Sequence, residues 1–279
     1  MTKEEEHNLV EKARSGDKVA LAELVKIAQQ LSYRLSIRMV PDPVEAQDLT
    51  QEVLIRVVTG LAKFRGDSSF RTWVYKVASN HLLTARRRLV EQQFESLEEL
   101  ATRLADGVSD GTAAQDLPLE DQLTIKEAKL ECTSRMLLGL DRDHRLAFIL
   151  GEVLELSSEE GAAVLEIDPA AFRKRLSRAR ERMASFTEAN CGVVKTENAC
   201  RCALQGARLA RLGYFDPARP RWTCHPARDP VRGSDRVEGL DGLGRALQVF
   251  RAHPDYAAPA LLAEGLRRLI ATDTSGLMG

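Results

Sequence analysis

The chain has 279 residues, of which 44% are hydrophobic, and a formal net charge of −1 at pH 7. This length and composition support two or three small folded domains and exclude a disordered polymer. Residues 1–6 lack the basic-then-apolar order of a signal peptide, and no apolar run approaches the roughly 18 residues of a membrane span. We therefore expect a cytoplasmic protein that does not enter a membrane.

Apolar residues recur at helical spacing through most of the first 186 positions, so the predicted fold class is all-α. The small net charge conceals two basic stretches. Residues 63–88 hold seven Lys and Arg against one Asp, and residues 173–182 hold six against one Glu. Because DNA binding depends on neutralising phosphates with such cations, both are candidate nucleic-acid surfaces. Residues 91–131 are mainly acidic, and we predict a linker over residues 95–124.

The first basic module contains two predicted helices. Pro41 and Pro43 interrupt the helical pattern, so one helix should end near Val40 and the next should begin near Val44. Four apolar residues of this helix share one stripe, with three polar residues beside them: Leu49, Val53, Val57 and Leu61, then Asp48, Gln51 and Glu52. Turn-forming residues 65–69 end it.

The following helix should begin near Phe70, and its two sides differ in chemistry. The packed side holds Val74, Val77, Ala78, His81 and Ala85. The opposite side, which offers hydrogen bonds and positive charge, holds Thr72, Lys76, Ser79, Asn80 and Arg87. One face therefore packs, and the other is available to a nucleic acid.

Residues 44–53, VEAQDLTQEV, and residues 64–80, FRGDSSFRTWVYKVASN, resemble region 2 of extracytoplasmic-function sigma factors, which are promoter-recognition subunits of RNA polymerase. The resemblance implies a surface that docks on the coiled coil of the largest polymerase subunit, formed by Asp48, Leu49, Gln51 and Glu52. It also implies a minus-ten-binding site that captures an unstacked base, formed by Phe64, Arg65, Ser69, Arg71, Thr72, Trp73, Lys76 and Asn80.

Several of these residues are also compatible with purely structural roles. Without the resemblance, Asp48 and Glu52 are better interpreted as a solvated i, i+4 face of a helix. Trp73 fits a core position and a base-stacking platform about equally well. His81 lies on the packed side, so we interpret it as structural.

A second module is predicted over residues 125–186. Helices are expected over residues 125–140 and 142–153, followed by a short helix from Ser157, which forms a capping box with Glu160, to Leu165. Asp168 and Pro169 predict the start of another helix. In that last helix the buried stripe should be Phe172, Leu176, Ala179 and Met183, and the opposite side should be Ala171, Lys174, Arg175, Arg178 and Arg182. This arrangement predicts a helix-turn-helix whose second helix enters a major groove.

Residues 140–145, LDRDHR, and residues 175–182, RLSRARER, are similar to the beginning and end of sigma region 4. The resemblance implies that Lys174, Arg175 and Arg178 bind the minus-thirty-five element or its phosphates. It implies core RNA polymerase and promoter DNA as partners, with an anti-sigma factor as a further candidate. Residues 170–172 and 161–162 depart from the usual family pattern, so the promoter sequence does not follow. The predicted domains are residues 5–94, 95–124, 125–186 and 187–279.

The C-terminal region contains four of the five cysteines, and Cys132 stands apart in sequence. Zinc or another soft metal could be bound by thiolate and imidazole ligands from Cys191, Cys200, Cys202, Cys224 and His225. Some sigma factors of this type carry a metal-sensing cysteine-rich C-terminal region, and the Cys-x-Cys here is similar. Idle thiols in a helical appendage account for the pattern equally well. Residues 261–270 predict one amphipathic helix.

Three classes of protein compete for this sequence: a sigma factor, an autonomous helix-turn-helix regulator that senses metal or redox state, and an enzyme or ligand sensor. The regulator explains residues 125–186 but leaves the first module without a role. The enzyme lacks a convincing nucleophile, carboxylate pair or phosphate loop. The sigma factor is therefore the predicted function, with no catalytic residues and no cofactor required.

Overall fold

The structure is a computed structural model, and it describes residues 3–40, 42–85, 96–109, 122–211, 242–252 and 254–260, with residues 213, 216, 220, 222, 262 and 264. All secondary-structure elements in these residues are helical, which confirms the all-α class. None of the helices in the described ranges combines the length and apolarity needed to cross a membrane.

Eleven α-helices lie in the described part of the chain. They are α1 (Lys3–Arg14), α2 (Lys18–Met39), α3 (Pro43–Gly60), α4 (Phe70–Thr84), α5 (Leu97–Ser109), α6 (Gln122–Leu138), α7 (Arg142–Phe148), α8 (Ser158–Leu165), α9 (Pro169–Asn190), α10 (Cys202–Arg211) and α11 (Gly242–Arg251). A 3₁₀ turn, Leu61–Lys63, follows α3, and a π-helical turn, Ile149–Val153, continues α7.

The chain divides into two compact units. The first comprises Met1–Arg86, Leu156–Phe172 and Ala257–Gly279, and the second comprises Arg87–Glu155 and Arg173–Tyr256. The units therefore do not follow the predicted domain boundaries, because segments distant in sequence join each one.

In the first unit, α2 contacts α1, α3 and α4. Aspartate side chains cap the starts of α2 and α3. Asp17 accepts hydrogen bonds from the backbone N–H groups of Val19 and Ala20, and Asp42 accepts them from those of Val44 and Glu45. These bonds satisfy N–H groups that have no partner within the helix. The predicted break at the proline pair is confirmed, since α2 ends at Met39 and α3 begins at Pro43.

The predicted faces of α4 are confirmed in part, since Val77 and Ala85, expected on the packed side, are only half-buried. Val74, Ala78 and His81 are buried as expected, but Ser79, predicted on the open side, is 0% exposed. The reason is that α4 contacts α2, α3 and α8, so it buries a wider sector than one apolar stripe. Arg87 lies outside the described residues.

Both helix starts that the sequence predicts in the second module, at Ser157 and at Asp168, are confirmed. The Ser157 hydroxyl accepts from the Glu160 N–H at 3.1 Å, and the Glu160 carboxylate accepts from the Ser157 N–H at 2.9 Å. Asp168 accepts from the Ala171 N–H at 2.9 Å. Helices α8 and α9 consequently begin at Ser158 and Pro169.

Part of the predicted acidic linker forms a helix, so the linker is not confirmed there. Helix α5 buries Leu97, Leu100 and Leu104 and contacts α10 within the second unit. Its start carries a signal that the charge pattern concealed: Ser96 and Glu99 exchange hydrogen bonds as a capping box. Residues 110–121 lie outside the described part.

The described C-terminal residues do not form a separate domain. Helix α9 runs past the predicted boundary at residue 186 to Asn190, and a buried cluster joins Ala184 of α9 to Cys191, Val194 and Ala246. Helix α10 contacts α5 and α6, and α11 contacts the π turn. Most of the helix predicted over residues 261–270 lies outside the described residues.

Candidate nucleic-acid and polymerase interfaces

Helix α3 presents a mixed polar and apolar surface. Asp48, Gln51 and Glu52 are exposed, as the sequence indicates. Val44 and Ile55 are 68% and 55% exposed, and the spacing of residues 44, 48, 51 and 55 places them along one stripe of a helix. Leu49, also assigned to docking, is 1% exposed and packs inside.

Glu52 is held against the neighbouring helix. Its Oε2 lies 2.7 Å from Nε2 of His81, whose side chain is 7% exposed. His81 therefore has the structural position expected for it, and it also orients one carboxylate of the α3 surface. Asp48 is the other exposed carboxylate of that surface, four residues earlier on the same helix.

The loop before α4 is supported by an aromatic cluster. Phe64 lies 5.2 Å from Trp73 and 6.0 Å from Phe70 between ring centroids, and Trp73 also lies against Gly60. Phe64 is 5% exposed, so its ring supports the loop rather than facing outward. Trp73 is half-buried, which leaves part of its indole accessible.

Arg14 fixes the other side of this loop, a role that sequence reasoning missed. Its guanidinium donates to the carbonyl oxygens of Leu61 at 3.2 Å and Ala62 at 2.9 Å, and also to that of Phe64. These bonds join α1 to the segment that precedes α4. A lone Arg at the end of an amphipathic helix gives no sequence signal of such a partner.

The polar face of α4 meets an acidic residue from the turn after α8. Glu166 accepts from Lys76 at 2.8 Å and from Asn80 at 3.2 Å. These two partners lower the pKa of Glu166, so it is ionised at neutral pH. Thr72 bonds Ser69 at the cap of the helix, and the Arg71 guanidinium lies 5.7 Å from the Tyr75 ring centre. Arg65 is exposed beside Asp67.

Helix α9 has the two faces that the sequence predicts. Phe172, Leu176, Ala179 and Met183 are all buried, whereas Lys174 and Arg178 are exposed. Arg175 is half-buried and lies 3.5 Å from Asp143. The exposed cations therefore form a basic strip along this helix.

A buried carboxylate that the sequence analysis overlooked lies behind α9. Glu152 is 1% exposed, and its two oxygens accept from Nε of Arg180 and Nε of Arg251, each at 2.6 Å. Phe148 and Phe250 pack edge to face at 5.2 Å beside it. The sequence did contain a signal for a buried carboxylate, because Glu152 is an acidic residue within the apolar run of residues 146–154.

A second unforeseen anchor is Trp222. Its indole is 1% exposed, and it donates from its backbone N–H to Glu127 and from Nε1 to Glu131, both at 2.8 Å. Both acceptors lie on α6. The C-terminal region is thus tied by hydrogen bonds to the first helix of the second module.

The metal ligands expected from the sequence divide into two groups. Cys191, Cys200 and Cys202 form no disulfide bond within the described residues, and Cys224 and His225 lie outside those residues. Within the described residues, no three Cys, His, Asp or Glu side chains stand ready as ligands of one ion. Burial raises the pKa of Cys200, and the nearby Cys191 raises it further.

Comparison with known proteins places these features in a family. Sigma-70 region 2 matches residues 24–91, and Sigma-70, region 4 matches residues 130–183. The RNA polymerase sigma-H factor of Pseudomonas aeruginosa is 32% identical over 185 residues, which are 65% of this chain and 93% of the relative. The ECF RNA polymerase sigma-E factor of Escherichia coli K12 is 32% identical over 177 residues, covering 62% and 89%.

A solved structure is also similar: the structure of CnrH in complex with the cytosolic domain of CnrY. It has 20% sequence identity and a TM-score of 0.47, and it covers 66% of this chain and 97% of that chain.

A helical domain with an exposed acidic and apolar face, followed by a basic helix-turn-helix, defines a promoter-recognition subunit of RNA polymerase. The chain belongs to the extracytoplasmic-function sigma factors of the sigma-70 family. It binds core RNA polymerase and directs promoter-specific transcription initiation, with region 4 recognising the minus-thirty-five element and region 2 melting the minus-ten element. Its relatives are initiation factors and not enzymes, and the autonomous regulator is not favoured.

Proposed function

We propose that α3 docks on the coiled coil of the largest polymerase subunit, with Asp48, Gln51 and Glu52 facing basic residues of that coiled coil. The observation that carries this proposal is the stripe of exposed carboxylates bordered by Val44 and Ile55, at 68% and 55% exposure. Exposed apolar residues beside charges are typical of a protein interface. A coiled coil carries charged residues on the flanks of its buried seam, and basic residues there can pair with these carboxylates.

The second part of the proposal assigns the minus-ten element to α4 and the loop before it. Arg65, Arg71 and Lys76 supply charge for the phosphates, and the half-buried Trp73 supplies an aromatic face. A single strand is held by such a combination of cations and stacking surfaces. Phe64, Ser69 and Thr72 support this site from within, through ring packing and the helix cap.

The third part assigns the minus-thirty-five element to α9. Lys174 and Arg178 are exposed on the side opposite the buried stripe, and Arg175 is close enough to the same side to exchange its weak contact with Asp143 for DNA. The second helix of a helix-turn-helix enters the major groove with such residues. Arginine pairs bidentately with guanine edges.

Charge reversal on α3 tests the docking assignment. Asp48→Arg should weaken binding to purified core polymerase at least about tenfold, because a like charge would face the basic partner. Fluorescence anisotropy of labelled protein measures this. Glu23→Arg reverses another exposed carboxylate, on α2, and should leave the affinity unchanged. Equal affinities of the two variants for core polymerase would contradict the docking surface.

A further inference from the structure

Two consecutive glutamines of α2 hold a segment from near the C-terminus. Gln29 donates from Nε2 to the carbonyl oxygen of Pro259 at 2.7 Å, and Gln30 accepts at Oε1 from the Ala258 N–H at 3.0 Å. We call residues 257–260 with Leu262 the strap. The strap and α2 belong to the same compact unit, and α2 binds the strap through main-chain groups.

The strap is packed as well as hydrogen-bonded. Leu262 is 5% exposed, and its N–H donates to the carbonyl oxygen of Pro259 at 3.1 Å. Gln29 is also 5% exposed, and a polar side chain at that depth requires a hydrogen-bond partner. The strap supplies this partner, so α2 carries a fitted docking site for it.

The residue just before the strap is anchored in the second unit. Tyr256 is 1% exposed, and its ring centroid lies 6.0 Å from that of Trp222. The boundary between the two units falls between Tyr256 and Ala257. Ala258 is the second residue after Tyr256, so the chain between these two anchors spans at most about 7 Å.

The promoter requires a much larger separation of the two sigma regions. The minus-ten and minus-thirty-five elements lie about 25 base pairs apart, which is about 85 Å at about 3.4 Å per base pair. Two helical regions, each roughly 30 Å across, reach at most roughly 65 Å when a tether of about 7 Å joins them. With α4 and α9 assigned to the two elements as proposed above, both cannot be engaged while both anchors hold.

The packing of α8 leads independently to the same conclusion. Helix α8 contacts α4, and Glu166, which follows α8, binds Lys76 and Asn80. Because α8 is the first helix of the helix-turn-helix, it lies beside α9 at the minus-thirty-five element when DNA is bound. Its contact with α4 must then be lost, so the structure shows the chain before it engages a promoter.

The strap is the weaker of the two anchors. It is held to α2 by hydrogen bonds between neutral amides. Tyr256 instead packs on Trp222, which donates to the carboxylates of Glu127 and Glu131. Hydrogen bonds to charged groups are the stronger kind, so release occurs at α2.

We propose that the docked strap restrains this sigma factor in a state that cannot span a promoter, and that the strap leaves Gln29 and Gln30 when both promoter elements are bound. Promoter DNA is compatible with the released state alone, so its binding shifts the protein toward that state. The strap therefore weakens promoter binding according to the fraction of molecules in which it is docked.

Lengthening the tether tests this restraint in the full chain. A Gly/Ser insert of about 20 residues between Tyr256 and Ala257 spans up to about 70 Å, and it keeps both anchors. The same insert after Gly279 is the control, because it adds the same residues without lengthening the tether. The readout is transcription at limiting sigma factor with core polymerase, on a fragment selected from random-sequence DNA by transcription with the unsubstituted protein.

The tether insert should raise transcription at least about threefold, because the docked state no longer opposes promoter binding. The insert after Gly279 should leave transcription unchanged. Equal transcription by the two insert variants would overturn the proposal.

A second measurement needs no variant and so does not depend on the folding of one. Hydrogen–deuterium exchange of the unsubstituted protein is compared between the free protein and its promoter complex with core polymerase. The Ala258 N–H, which is bonded to Gln30 in the free protein, should exchange at least about tenfold faster in the complex. A strap that is equally protected in both states would contradict its release.

The assignment of α9 is tested separately by Lys174→Ala with Arg178→Ala. If that assignment is correct, this variant loses promoter affinity while its strap in the free protein keeps the same protection from exchange. Failure of the strap proposal and failure of the α9 assignment therefore give different results.

Discussion

At the scale of single residues, Glu166 has the most direct bearing on promoter contact. It lies in the turn between α8 and α9 with a left-handed φ of 54°, and it binds Lys76 and Asn80. These two side chains are assigned to the minus-ten element. A carboxylate thus occupies the groups that DNA would engage, so a strand that binds there must displace it.

Replacing Glu166 with Gln should strengthen binding of a single-stranded minus-ten oligonucleotide by up to about fivefold. The amide keeps the shape but loses the charge, and an exposed ion pair contributes at most about 1 kcal/mol. Fluorescence anisotropy at low salt gives the affinity. Glu159→Gln, which removes an exposed charge from α8, is the control, and an equal effect of both variants would show that net charge alone is responsible.

At the scale of elements, Glu152 links three of them. It lies in the π turn after α7, and its carboxylate is held by Arg180 of α9 and Arg251 of α11. A buried carboxylate is stable only when it is paired and hydrogen-bonded. The pair of arginines therefore couples the helix assigned to minus-thirty-five binding to a helix of the C-terminal region.

Arg251→Ala should lower the free energy of unfolding by about 1–3 kcal/mol, because one oxygen of a buried carboxylate loses a charged donor. Urea denaturation measures the change. Arg173→Ala removes an exposed arginine of α9 and should change stability by less than about 0.5 kcal/mol. The coupling would be refuted by two variants that unfold at the same urea concentration.

Helix starts were the feature of these elements that the sequence predicted best. The capping residues Ser157 and Asp168 each occupy the position their sequence context indicated. Ser79 was misplaced because helical spacing alone does not reveal how many neighbours a helix has. Helix α5 was missed because its acidic composition obscured a stripe of three leucines.

At the scale of the whole molecule, the described C-terminal residues up to Tyr256 complete the second unit. Trp222 is buried with both its N–H groups bonded to α6, and Phe250 covers Phe148. Removing a buried tryptophan side chain alone typically costs about 3–5 kcal/mol. Residues beyond the part that matches the region 4 family, residues 130–183, therefore pack against region 4 in this protein.

A chain that ends at Asn190 should lose much of the hydrogen-exchange protection of α6 and α7, since both would expose apolar and carboxylate groups now covered. Hydrogen–deuterium exchange with mass spectrometry measures this, and α3 serves as the internal control because it belongs to the first unit. Unchanged protection of α6 and α7 would show that region 4 folds without the C-terminal residues.

The sequence by itself determined the all-α class, the two sigma regions and the basic face of α9, because periodicity, caps and local charge are properties of neighbouring residues. Only the tertiary structure decided the partners of Lys76, the burial of Glu152 and the hydrogen bonds of Trp222 to α6. Each of these joins residues distant in the chain. Their contacts depend on how helices pack against one another, which local spacing does not encode.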